Sequence, residues 1–140
     1  MRSVVVLLRD ATELAVTQYL NNVYPSQREP WVAFVGDDPC LYINFLQGSP
    51  FDDEEVAEMT ARFGGQPEVV VIADVSGRHP GDGEVRDFVS GLLHRFSGAV
   101  MDDYTDHLWT LAELHGGHLV SGHPFFDYQG WYEQGRCSDA

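Results

Sequence analysis

Apolar residues fall into two kinds of pattern along this chain. Val4 to Leu8 and Val69 to Ala73 are unbroken, largely β-branched apolar runs, the signature of strands covered on both faces. Trp31 to Val35 and Leu41 to Leu46 read as two further strands. The link between them, residues 36–39 (Gly-Asp-Asp-Pro), is short and turn-forming, so the pair is expected as a hairpin. Elsewhere the period is helical. Val16, Tyr19, Leu20 and Val23 follow Asp10 and Glu13, which resemble a capping box, and Pro25 ends that helix. Asp52, Asp53, Glu54 and Glu55 open a second helix with the stripe Val56, Met59, Thr60 and Phe63, stopped by Gly64 and Gly65. The third helix has the clearest pattern: Val85, Phe88, Val89, Leu92, Leu93 and Phe96 recur along one face.

Ala99 to Met101 and His107 to Trp109 are expected as two strands joined through Asp102, Asp103, Tyr104, Thr105 and Asp106. Thr110 with Glu113 forms a capping box for a short last helix ending at Gly116 and Gly117. From His118 onward aromatics continue without periodicity. The order is β-α-β-β-α-β-α-β-β-α, an α+β class. Its first six elements match a ferredoxin-like βαββαβ core, here extended by αββ. Val69 to Ala73 is too apolar for an edge strand, and the third helix offers a crossover that lays a fifth strand beside it. The expected mixed sheet is therefore ordered 2-3-1-4-5-6, with helices mainly on one face. No linker divides the chain, so residues 1–140 read as one domain: a split βαβ core over 1–75, an αββα extension over 76–117 and an aperiodic C-terminal tail over 118–140.

Charge changes this picture most. The chain of 140 residues holds 22 acidic and eight basic residues, all eight arginine, for a formal net charge of −14. Such a surface repels nucleic acid and anionic membrane and attracts a basic protein. The absence of lysine excludes Schiff-base chemistry, a P-loop lysine and a lysine general base. Apolar residues still make up 44%, enough for a packed core. No run approaches a membrane span or a signal-peptide core, and Cys40 and Cys137 share no motif spacing. A cytoplasmic protein with two unpaired thiols is expected.

Candidate chemistry is sparse. His115, His118 and His123 with Asp103 offer metal ligands for a hydrolytic site, although the glycines between His115 and His118 break zincin helix spacing. The acidic turn from Asp102 to His107 lacks a calcium-loop ligand series, and hydrogen bonds to local backbone account for it as well. Nucleophile motifs and phosphate-binding glycine loops are missing, and no organic cofactor is implied. The acids themselves form clusters at residues 37–38, 52–58, 82–87 and 102–106.

The stretch from Gly98 to Leu114 has a Gly-led strand ending in Asp, a Thr-containing turn, and a Trp-Thr-x-x-Glu start of a helix. It resembles the closing segment of small bacterial ferredoxin-like domains, some of them of the toxin-immunity type. The resemblance implies a binding function and no catalytic residue.

The leading expectation is a non-enzymatic acidic binding protein, an immunity-type inhibitor that occludes a basic toxin domain such as a nuclease. Its partner-binding residues would be Asp37, Asp38, Asp52, Asp53, Glu54, Asp102, Asp103, Asp106, Tyr104, Trp131 and Tyr132, acids steering and aromatics anchoring. The alternative is a metal-dependent hydrolase using His115, His118, His123 and Asp103. A third reading is a self-associating domain, a homodimer built through a sheet edge.

Overall fold

A computed structural model describes residues 2–24, 28–46, 53–65, 67–105, 107–127 and 130–131, with Asp53, Glu55, Val56 and Met59 described by backbone alone. Among these residues the fold is α+β: a five-stranded, fully antiparallel open sheet with four helices. The elements are β1 (Arg2–Arg9), α1 (Glu13–Val23), β2 (Trp31–Val35), β3 (Asp38–Phe45), α2 (Asp53–Phe63), β4 (Val69–Val75), α3 (Asp82–Arg95), β5 (Ser97–Met101) and α4 (Leu111–Gly116). No described helix is long and apolar enough to cross a membrane.

The strand order is β2-β3-β4-β1-β5, which corrects the expected 2-3-1-4-5-6 in two respects. β4 stands between β3 and β1, pairing Leu41 with Val75 on one side and Arg2 with Val75 on the other. β5 pairs with β1, not with β4. The ferredoxin-like pairing of β3 with β1 is therefore not the one adopted. β1 and β4 each carry an unbroken five-residue apolar run, so the hydrophobic pattern demands two central strands without saying which of them meets β3. The α3 crossover from β4 reaches β5 with β1 in the gap, so the interleaved βαβ unit is β4-α3-β5.

The expected sixth strand, His107 to Trp109, shrinks to one isolated bridge between Val100 and Trp109, with paired N–H···O bonds of 2.9 and 2.7 Å. Trp109 is followed at once by Thr110, the N-cap of α4, so the chain turns helical before a ladder can grow. The start of α1 is also corrected. Asp10 adopts a left-handed φ of 53°, and Thr12 is the N-cap, its side chain accepting from Ala15 N.

Strand alternation divides the interior. Val4, Val6 and Leu8 of β1, with Val69, Val71, Ala73 and Val75 of β4, face α1 and α3. Val16 and Leu20 and the α3 stripe Val85, Phe88, Val89, Leu92 and Leu93 fill that side, as the helical periodicity requires. On the other face Val5, Leu7 and Ala99 are covered by Phe63 of α2, while Val70, Ile72 and Tyr42 are only half-buried. Helices thus lie mainly on one face. Gly98 is required where β5 enters the sheet, because a Cβ there would meet Leu7 O at 2.1 Å.

The aperiodic C-terminal residues also enter the core. Phe125 and Phe126 are buried beside Val100 and Trp109. Rings then run in sequence from Trp109 through Phe125 and Phe126 to Tyr104 and Trp131, at centroid spacings of 5.7–6.1 Å.

Candidate functional site

The registers place one end of the sheet beyond doubt. The start of β1, the start of β3, the end of β4 and the end of β5 coincide there, and the β2–β3 turn and the N-terminus of α3 join them. Three acidic clusters emerge at this end: Asp37 and Asp38 from the turn, Asp82 and Glu84 from α3, and Asp102 and Asp103 after β5. Glu54 is exposed on α2, inside the connection made at the other end of the sheet, and only the backbone of Asp53 is described. Asp52, Asp106, Tyr132 and Cys137 lie outside the described residues. Cys40 is a buried free thiol 3.8 Å from Glu84 Oε1, and burial followed by that carboxylate pushes its pKa up.

The acids at this end do different jobs. Asp102 is 6% exposed, and its carboxylate accepts backbone N–H bonds from Tyr104 (3.1 Å), Thr105 (3.2 Å) and Phe126 (2.9 Å). Its oxygens are used inside the chain. Asp103 is exposed and accepts from Ser3 N at 2.6 Å. Burial of its oxygens, then repulsion by Asp102 and Asp74, raises its pKa above the ordinary aspartate value. Asp38 accepts from Arg78 (3.3 Å) and contacts His79 Nε2 (2.9 Å), while Asp37 is exposed. Arg2 donates to the His79 and Pro80 carbonyls and lies over the Phe126 ring at 5.6 Å, tying β1 to the β4–α3 loop and the C-terminal segment. Tyr104 and Trp131 stack here, rings 6.0 Å apart and 11° from parallel.

The histidines do not group as expected. His123 holds Asp127 at 2.9 Å and stacks on Trp131 at 3.9 Å; Asp103 is bound to Ser3; His115 is exposed in the last turn of α4. The structure instead gathers His107, Glu113 and His118, whose ligand atoms all lie within 4.8 Å of one another. Glu113 is the third residue of α4. Its Oε1 accepts from Thr110 N (3.0 Å), completing the capping box read from sequence. Its Oε2 faces His107 Nε2 at 3.1 Å and His118 Nε2 at 3.2 Å. Gly117 ends α4 in the left-handed conformation, and the His118 N–H returns to the Glu113 carbonyl at 3.1 Å, so the turn carries His118 back over its own helix. Both imidazoles stand edge-on to Trp109. A cavity of about 330 Å³ is lined by Glu113 and His118 together with Trp109, Phe125, Arg86 and Ser90.

Sequence reasoning named His118 but passed over Glu113, because the capping role explained that residue completely. The available signal is the helix-end Gly117, which folds the next residue, His118, five positions after Glu113, back toward the capping carboxylate.

Burial acts to raise the Glu113 pKa, but the Thr110 N–H, the His107 hydrogen bond and the two histidine charges outweigh it, and the pKa is lowered from 4.5. A depressed carboxylate pKa contributes stability that is present above the ordinary value and lost as pH falls through the folded one. Urea midpoints of the parent chain and Glu113→Gln should therefore converge as pH drops from about 7 to about 3, the Gln variant having no carboxylate to titrate. A constant gap would contradict the charge interaction.

No family model, curated protein or solved structure matches this chain.

Proposed function

We propose that the chain is a non-enzymatic acidic binding protein of the immunity type, which occludes a basic toxin domain such as a nuclease with the acidic end of its sheet. The observation that carries this reading is the convergence of three acidic clusters at that end, beside the stacked Tyr104 and Trp131. With Asp102 committed internally, the docking residues are Asp37, Asp38, Asp103, Tyr104 and Trp131. The net charge of −14 supplies long-range attraction for a cationic cleft, and the acids replace the phosphates which that cleft normally holds. The ring stack presents aromatic surface already ordered, which lowers the entropy lost on docking.

The test mixes the chain with basic toxin nuclease domains and measures association rate and residual nuclease activity. The rate should fall by about tenfold or more between roughly 0.05 and 0.5 M salt. Reversing charge with Asp37→Arg and Asp103→Arg together should slow association by a comparable factor, while urea stability falls only by the about 1–3 kcal/mol that loss of the acceptor for Ser3 N–H costs. A rate indifferent to salt and to both substitutions would refute the steering mechanism. The hydrolase reading built on His115, His118, His123 and Asp103 is not carried forward, because His118, His123 and Asp103 contact different partners and His115 is exposed on α4.

A further inference from the structure

The histidine–glutamate cluster lies apart from the proposed docking residues and plays no part in that reading. We propose that His107, Glu113 and His118 bind a divalent transition-metal ion, zinc by preference, through two imidazole Nε2 atoms and one carboxylate oxygen.

The argument begins with geometry. Zinc bonds to imidazole nitrogen and carboxylate oxygen are about 2.0–2.2 Å, so two ligand atoms of a tetrahedral site stand roughly 3.3 Å apart. The two separations from Glu113 Oε2, 3.1 and 3.2 Å, are close to that edge length, and a ring nitrogen of each histidine lies within 4.8 Å of the other. Seating an ion requires only small rotations, and His118 has the freedom for them, its side chain being 46% exposed.

The scaffold holds the ligands from behind. Thr110 fixes Glu113 by bonding Oε1, which leaves Oε2 to serve as a one-oxygen ligand. The Gly117 turn and the His118 N–H···O bond fix the backbone of His118. The Val100–Trp109 bridge anchors the chain two residues after His107, and Thr105 Oγ1 accepts the His107 N–H at 3.3 Å. Preordered supports of this kind lower the cost of assembling a metal site.

Ligand chemistry selects the ion. Two imidazoles and one carboxylate suit zinc, cobalt, nickel or copper, whereas calcium and magnesium demand oxygen shells. Three protein ligands leave a fourth position, as in sites that hold water or an exchangeable ligand there. Glu113 and His118 are in the wall of the 330 Å³ cavity, so that position has space beside it.

Metal-stripped, full-length protein titrated with zinc chloride in a calorimeter should bind one ion per chain with micromolar or tighter affinity. Cobalt(II) in its place should give the visible absorption of a four-coordinate nitrogen–oxygen site. Glu113→Gln keeps the capping interaction, since glutamine serves that position, and removes the anionic ligand. His118→Asn alters an exposed residue and leaves the core intact. Each should weaken zinc by about a hundredfold or more, because even residues standing behind metal ligands cost about 10- to 100-fold when removed. His115→Ala, on the same helix, should leave binding unchanged. Circular dichroism confirms that each variant is folded, and the cobalt spectrum of the parent chain stands independently of any variant. Absence of binding by the parent chain, parent-like affinity in both ligand variants, or loss of binding in His115→Ala would overturn the site. None of these readouts involves the protein partner, so the two proposals fail separately.

Discussion

Replacing Asp102 by alanine will destabilise the fold by about 3 kcal/mol or more, because three backbone N–H groups lose their acceptor together and one of them, on Phe126, is buried. Bonds to a carboxylate are individually worth about 1.5–3 kcal/mol, and an orphaned buried donor adds its desolvation cost. In a chain of this size the loss lowers the melting temperature by roughly 10 °C. Asp102→Asn retains an acceptor oxygen and should lose about half as much. Urea denaturation of the three proteins checks both values. A loss below about 1 kcal/mol for alanine would mean that water satisfies the same N–H groups.

Phe126→Ala isolates the other half of the same junction. It keeps the backbone N–H that Asp102 binds and removes a ring with no solvent exposure, packed between Tyr104, Phe125 and the Arg2 guanidinium. The expected loss is about 3–5 kcal/mol, the usual cost of truncating a buried phenylalanine. The double variant should lose less than the sum of the two, since each releases the segment that the other holds. Strict additivity in urea midpoints would show that the ring packs independently of the carboxylate.

Much of the secondary structure is written locally. The α3 stripe from Val85 to Phe96, the Thr110–Glu113 capping box and the glycine stop at Gly117 depend on neighbours within one or two turns, and the structure contains each of them. Sheet order is not local. β1 and β4 carry interchangeable apolar runs, and their places were settled by which neighbours satisfied both edges of both strands. The core role of Phe125 and Phe126 was equally hidden, since two adjacent rings have no period; Asp102, 24 residues away, seats them. For the acidic end, sequence gave the clusters and only the registers gave their convergence. For the histidine cluster the helix-end turn mattered more than spacing, which is why His118 was recognised and its partners were not.

The position of β1 governs when the sheet can close. Its neighbours are β4 and β5, so β1, synthesised before either, waits for residues 69–101 before both its edges are paired. Until then a strand with the apolar run Val4–Leu8 carries open backbone hydrogen-bonding groups, the condition that invites aggregation during synthesis. Contacts joining the two halves of the chain also slow the search for the native topology. A nascent Val4–Leu8 segment therefore keeps an unpaired edge until residues 97–101 have been made.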